Sequence, residues 1–468
     1  MRNERTGLTQ LLKGLSTALL ALMIAACSQS MSADGVDTII IDHVTVLDGR
    51  GGDALVDRRV TVKGGVIVDV APSTGDFDPN ETIIDGTGKF LLPGYIDMHA
   101  HLLFPRCPVG DEAFRFDRQL SERALSRQLD FGITTVRSPA NPTVEGLKLR
   151  DDLNAGRVRG PHALASAEFI NDAGLTNAEL RQVVRDSLPY HPDYFKVYSR
   201  LQPHQVAVVI EEAHLNKIPV IGHLQRTSWA EGLDLGIDHL VHSLDWSADS
   251  LPEADRPSYA TALKERGGFR ARIDWLEAFT PDGAYQQQLI AVLAKKQVSV
   301  DVTLIAYDGK FSTPDEPRYR ENPYLRSFPE LVEDWRRCDG ATAAWTESDY
   351  RRWKKAWPKA LDWVKRMSDG GVLLVSGTDM TNEWIIPGEG LHQEFELLSR
   401  AGLSGNQILR MTGANAAAAL RRTDIGVIET GRRADMVLLS ADPRLDIKNT
   451  RSIIWVMQGG RFVAKNIR

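Results

Sequence analysis

Pro93-Gly94-Tyr95-Ile96-Asp97-Met98-His99-Ala100-His101 is the stretch on which the fold of this chain turns. A short apolar run leads into two histidines two residues apart. On a strand, residues at that spacing share a face, so both imidazoles can reach one metal ion. Alone, the pair carries little, because paired histidines also occur as surface or packed residues. What surrounds it decides its meaning.

From about residue 94 to 420, apolar β-type runs alternate with helical stretches, giving eight candidate strands at 95–98, 134–137, 163–165, 194–198, 219–221, 239–241, 299–304 and 372–376. This alternation predicts an α/β fold, a (β/α)8 TIM barrel spanning 93–420. A doubly wound sheet would place a glycine-rich phosphate loop after the first strand, where this sequence has none. Barrel enzymes carry their chemistry at the C-terminal ends of the strands. His99 and His101 end the first strand, Lys196 the fourth, His223 the fifth and His242 the sixth, and Asp379 follows the eighth. Only 11 histidines occur in the chain, and four of them fall at three of these ends.

Two of these positions need a choice. The sixth strand offers His239 and His242, three apart and so expected on opposite faces; His242 lies nearer the end and is the candidate ligand, with His239 a packed residue. In the fourth, Phe195 and Val197 should face the helices, leaving Tyr194, Lys196 and Tyr198 inside. An ammonium buried beside divalent cations is doubly disfavoured, so Lys196 should be neutral or chemically altered. A neutral amine can add carbon dioxide to give a carbamate able to bridge two metals. A lysine salt-bridged at the rim is the plainer reading. His392 and Glu394 lie in the helix after the eighth strand and are expected to make structural hydrogen bonds.

The flanks read differently. β-rich runs at 38–46, 59–62, 66–70 and 82–84, and again at 434–440 and 453–457, cannot close a core separately. Residues 37–92 and 421–468 are therefore expected to pair into one small β-sandwich beside the barrel. A long interruption at 308–359 contains four of the ten tryptophans, and reads either as a helical insertion packed by its aromatics or as a lid or pocket wall at the catalytic face. Cys107 and Cys338 both belong to that face and could pair in an oxidising compartment.

At the N-terminus, Arg2, Arg5 and Lys13 precede an apolar run ending Ile24-Ala25-Ala26-Cys27. Residues 1–26 have the layout of an export signal, too short to span a bilayer comfortably. The run resembles a bacterial lipobox, which implies lipidation at Cys27, a tether over 27–36, and, with Ser28 rather than Asp next, sorting to the outer membrane facing the periplasm. Membrane contact would then pass only through the lipid anchor. The overall composition fits a folded protein: 43% hydrophobic and 25% charged residues, with a net charge of −6 that gives no reason to expect nucleic acid. Three cysteines exclude a disulfide-built scaffold, and their odd number resolves into one anchor and two thiols able to pair.

Together, the entry at 93–101, Phe195-Lys196-Val197-Tyr198, Gly222-His223, Asp238-His239-Leu240-Val241-His242-Ser243, Ser376-Gly377-Thr378-Asp379, and the later 411–417 and 426–435 make the chain similar to the amidohydrolase superfamily, in its imidazolonepropionase-like and prolidase-like branch. The resemblance implies two divalent metal ions, most plausibly zinc. By it, His99, His101 and Asp379 would hold the more buried ion and His223 and His242 the more exposed one, with carboxylated Lys196 and a hydroxide between them. Asp379 would shuttle the proton, and Tyr198 would either stabilise the oxyanion, contact a substrate carboxylate or simply pack. The implied activity is hydrolysis of an amide bond in a dipeptide or N-acyl amino acid. The alternatives are a mononuclear cyclic-amide hydrolase or deaminase, and a non-catalytic surface binding protein on the same scaffold. Homo-oligomerisation stays open.

Overall fold

The computed structural model describes residues 38–73, 81–107, 115–311, 317–338 and 342–465. The export signal and Cys27 lie outside the described residues. No described helix is long and apolar enough to cross a membrane.

Eight short parallel strands form the centre: Tyr95–Asp97, Ile133–Ser138, His162–Ala165, Phe195–Val197, Val220–Gly222, His239–Val241, Ser299–Asp301 and Leu374–Val375. Each falls within or beside one of the runs predicted for it. They pair in chain order, the first three in one sheet and the last five in another. Parallel bridges at Ser166–Tyr194 and Ala100–Met380 join the two, and Met98 N–H donates to the Ser376 carbonyl at 2.9 Å. The barrel is therefore closed.

Side-chain alternation sorts the layers as the pattern demands. Phe195 and Val197 enter the large core between strands and helices. Tyr194 joins Ile96, Met98, Ile221, Val241 and Val375 in an inner cluster, closed by the short helix Ala414–Ala419. An alanine-rich helix can approach strand ends closely; Asn415 donates to the Leu374 carbonyl, and the Thr412 hydroxyl bonds both the N–H and the carbonyl of Ile96.

The two termini build one eight-stranded sheet. It includes Phe90–Pro93, a strand absent from the sequence reading, which pairs antiparallel with Met436–Leu439 and feeds directly into the first barrel strand. The sheet turns back on itself: Val60, Val62 and Ile67 from one end share a buried cluster with Met436, Leu438 and Met457 from the other.

Two excursions build the catalytic side. The insertion after strand seven is helical, with Leu304–Phe311, Pro317–Arg320, Pro329–Arg337 and Glu347–Ala356. Its tryptophans pack inward: the Trp353 ring lies 4.7 Å from Phe311 and 5.4 Å from Trp357. A second excursion, unforeseen from the sequence, follows strand six as Arg256–Arg266, Gly268–Ala278 and Ala284–Lys296. Arg270 and Arg352 tie the two together through Asp349 and Asp274, at 3.0 and 2.8 Å. Cys107 and Cys338 form a disulfide across 231 residues of chain, and Arg106 pairs with Asp334 at 2.5 Å beside it. The insertion is thereby fixed to the loop that follows strand one.

Closing so long a loop restricts the unfolded chain, so Cys338→Ser is expected to lower stability by about 2–4 kcal/mol. Thiol titration of the denatured protein checks the bond: neither Cys107 nor Cys338 should react before reduction, and both after it.

Candidate metal centre

The first strand ends at Asp97, before the histidines, because the chain bends at Met98 and His99. The bend is held by the Asp97 carboxylate, which accepts from His99 N–H at 3.0 Å, Thr378 N–H at 3.0 Å and the Thr378 hydroxyl at 2.8 Å. Burial pushes Asp97 up to about 7, against the pull of those bonds. The ends of strands one and eight are thus locked side by side. His99 and His101 converge on one atom: their Nε2 nitrogens lie 3.2 and 3.3 Å from Asp379 Oδ1.

The sixth strand corrects the alternation argument. His239 also faces the interior, its ring edge-on to Tyr194 at 5.6 Å and its Nδ1 2.7 Å from Ser299 Oγ. The strand stops at Val241, and His242 takes a left-handed φ of 69° that turns it back into the mouth. Asp379 and Thr303 do the same, at φ 60° and 47°. Such backbone is disfavoured for side chains other than glycine and persists only where its surroundings enforce it. Here the hydrogen bond from His242 Nδ1 to Thr303 Oγ1, 2.8 Å long, links two of the three.

The two first-strand imidazoles are oriented from behind. His99 Nδ1 meets Asp301 at 2.6 Å, and His101 Nδ1 meets the Ala140 carbonyl at 2.8 Å. Both arrangements place the proton on Nδ1 and turn the Nε2 lone pair towards Asp379. His223 packs at a tilt against Tyr198 at 4.1 Å and edge-on to His242 at 4.4 Å. His99 Nε2 and His223 Nδ1 are buried with no hydrogen-bond partner among the described residues. Buried nitrogens without partners are rare unless something else is to be bound. Donor atoms of His99, His242 and Asp379 lie within 4.8 Å of one another, a spacing that suits a shared cation.

The electrostatics agree. Burial and neighbouring positive charge hold His223 well below its usual range; burial also holds His242 and His101 down. Neutral imidazoles are the form that ligates metal. For His99 burial acts downwards, but the Asp379 and Asp301 carboxylates outweigh it and raise the pKa. Asp379 is driven well below the carboxylate range by His99, His101 and His242 despite its own burial. The pocket therefore favours added positive charge between these groups.

Lys196 is 2% exposed and its ammonium makes no hydrogen bond or ion pair among the described residues, which removes the rim salt bridge. Burial pulls it down to about 8, with Asp379 and Asp301 opposing. Its Nζ sits 5.3 Å above the Tyr198 ring. Burial pushes the Tyr198 phenol up to about 12. His101, Lys196, Tyr198, His223, His242 and Asp379 all line one cavity of about 660 Å³, and His99 lies fully buried among them. His392 and Glu394 stand apart, as expected. His392 bridges Thr450 and the Phe131 carbonyl, and Glu394 accepts from the Leu304 and Ile305 N–H groups.

The sequence profile of the amidohydrolase family matches residues 356–463, which include Asp379 but none of the candidate histidines. An imidazolonepropionase from Stenotrophomonas maltophilia is 32% identical over 154 residues, 31% of this chain and 36% of that enzyme. Another from Streptomyces griseus is 20% identical over 290 residues, 52% of this chain and 72% of that one. Among solved structures, a Xaa-Pro dipeptidase with bound methionine superposes with a TM-score of 0.66 at 16% identity, covering 92% of this chain and 100% of its own. The bottromycin amidohydrolase gives 0.66 at 20% identity, covering 92% and 88%. These comparisons support the amidohydrolase superfamily, with the family profile itself carried by residues 356–463. Members of this superfamily generally use divalent metals, and the His/Asp cluster here has the donors for one. The alignment spans only about a third of the first relative's length, 36%.

Sequence reasoning overlooked two supporting residues, Asp301 and Arg137. Both are wholly buried, and they pair at 3.2 Å while Arg137 Nε donates to the Met98 carbonyl at 2.8 Å. Asp301 ends strand seven, whose predicted run extends to 304, and Arg137 is the last residue but one of strand two, so the strand-end rule pointed near both. Asp301→Asn should weaken metal affinity about 10–100-fold, because the carboxylate sets the tautomer of His99. It should also destabilise the fold by about 3–5 kcal/mol by leaving Arg137 buried without its counter-ion. Chelator competition and urea unfolding check the two effects separately.

Proposed function

We propose that this chain is a two-metal hydrolase of a carbon–nitrogen bond, acting on a dipeptide or an N-acyl amino acid. The observation that carries the reading is the convergence of His99 and His101 on one oxygen of Asp379, with buried, unpaired Lys196 and the His223–His242 pair on the same cavity. His99, His101 and Asp379 would hold one ion and His223 and His242 the other, with Lys196, as its carbamate, serving both. Bound there, divalent ions such as Zn²⁺ would acidify water and polarise a carbonyl.

The protein's own groups supply the rest. Asp379, ionised by its imidazole neighbours, is the base that takes a proton and passes it to the leaving nitrogen. Tyr198 stays protonated at neutral pH and can donate its O–H to a developing oxyanion. The depressed pKa of Lys196 gives a larger neutral fraction, the form that adds carbon dioxide. Support from the comparisons is coarser: superfamily relatives that include a dipeptidase and an amidohydrolase.

One observation favours a second reading. His99, His242 and Asp379 alone could gather around a single ion, as a mononuclear cyclic-amide hydrolase or deaminase would need. Metal analysis separates the cases: about two ions per chain supports the first reading and one supports the second. Metal-free protein after supplemented purification would overturn both. Lys196→Ala should lose metal and activity, with partial recovery on adding a small carboxylic acid; full retention of both would exclude the carbamate.

The same proposal places the enzyme on the periplasmic face of the outer membrane, held by lipid on Cys27. Cys27→Ser should then shift it from the membrane to the soluble fraction.

A further inference from the structure

The cavity contains a cation that the reaction does not use and that has no ion pair among the described residues. Arg272 rises from the helix Gly268–Ala278 into the wall facing the metal ligands. Its guanidinium carbon lies 4.9 Å from the Trp246 ring centroid and 4.7 Å from that of Phe269. Its Nε is buried and has no hydrogen-bond partner, and the side chain makes no ion pair among the described residues. Other cations nearby are satisfied. Arg266 pairs with Asp274 at 2.9 Å, Arg270 with Asp349 at 3.0 Å, and Lys310, on the same cavity, with Glu383 at 2.7 Å.

Arg272 is also held firmly. Trp246 is wholly buried; it donates through Nε1 to the Tyr307 hydroxyl at 3.0 Å and accepts from Tyr259 at 2.8 Å on its carbonyl. Two aromatic rings against a guanidinium steady its plane and remove water from its faces. Its edge then remains for a planar, bidentate acceptor. A fixed cation held between aromatic rings without a counter-ion is unfavourable until an anion arrives.

We infer that Arg272 is the substrate-carboxylate receptor of this cavity, so that the amide cleaved here belongs to a molecule with a free carboxylate. This rests on the hydrolase reading above and narrows it: acylated amino acids and dipeptides qualify, whereas neutral cyclic amides lack the group Arg272 binds. Arg272 acts on specificity rather than on the bond broken.

Calorimetric titration of the metal-loaded protein with N-acetyl-L-leucine and with N-acetyl-L-leucinamide tests it. The wild type should bind the acid at least about tenfold more tightly than the amide, the usual scale for losing one charge-assisted pair. Arg272→Gln should erase the difference, and Arg272→Lys, which keeps the charge but not the fork, should restore part of it. Equal or undetectable binding of the two probes by the wild type, or an acid preference that survives in folded Arg272→Gln, overturns the inference. Acid preference abolished by Arg272→Gln in a protein that hydrolyses no amide would uphold the receptor and overturn the hydrolase reading alone.

Discussion

Everything at the mouth of this barrel depends on how His99 is enclosed. The ring is completely buried between carboxylates from two different strand ends, Asp301 at 2.6 Å and Asp379 at 3.2 Å. Those carboxylates come together only if strand one is flanked by strand eight, which is the closure of the barrel itself. Asp97 fastens that closure by gripping Thr378 and the His99 backbone at once. Gly377 makes it sterically allowed: a β-carbon there would lie 2.4 Å from Asp301 Oδ1 and 2.7 Å from His99 Cβ. The fold and the candidate site are therefore one construction.

The same construction explains why so many polar groups can be buried. Isolated charges in a low-dielectric interior are strongly disfavoured, and the site avoids them in two ways. Some are paired, as Arg137 is with Asp301. Others are held neutral: His223 and His242 by burial, and Lys196 in part by the same means. What remains is a set of lone pairs and one ionised carboxylate directed at a common space, an arrangement suited to cations. Arg272, on the opposite logic, is a cation with no ion pair among the described residues.

The outer wall is built from aromatic packing. Trp246 connects the excursion after strand six to the insertion after strand seven, through Trp275 at 4.8 Å and Trp353 at 6.4 Å. The insertion is packed by its tryptophans, and its Lys310 and Phe311 line the cavity as part of its wall. The Cys107–Cys338 bond fixes its far end.

Much of this was legible in the chain. The eight strands announced themselves because parallel strands are buried on both faces and so read as short apolar runs. His99, His101, Lys196, His223 and Asp379 were found because a barrel places strand ends at one face, a rule that needs only the order of the elements. Phe90–Pro93 escaped because four residues carry too little periodicity to be distinguished from the approach to strand one. His239 is the packed, hydrogen-bonded residue expected, but its facing was misjudged because alternation holds only while a residue stays in the strand, and the turn at His242 is a backbone conformation that side-chain pattern does not encode. The pairing of Asp301 with His99, the shelf under Arg272 and the spacing of the donors arise between segments up to 280 residues apart, such as His99 and Asp379. Composition and order determined which groups would reach the mouth of the barrel. Only the closed tertiary structure decided which of them touch, because contact there depends on register, buried hydrogen bonds and positive φ angles imposed by the packing around them.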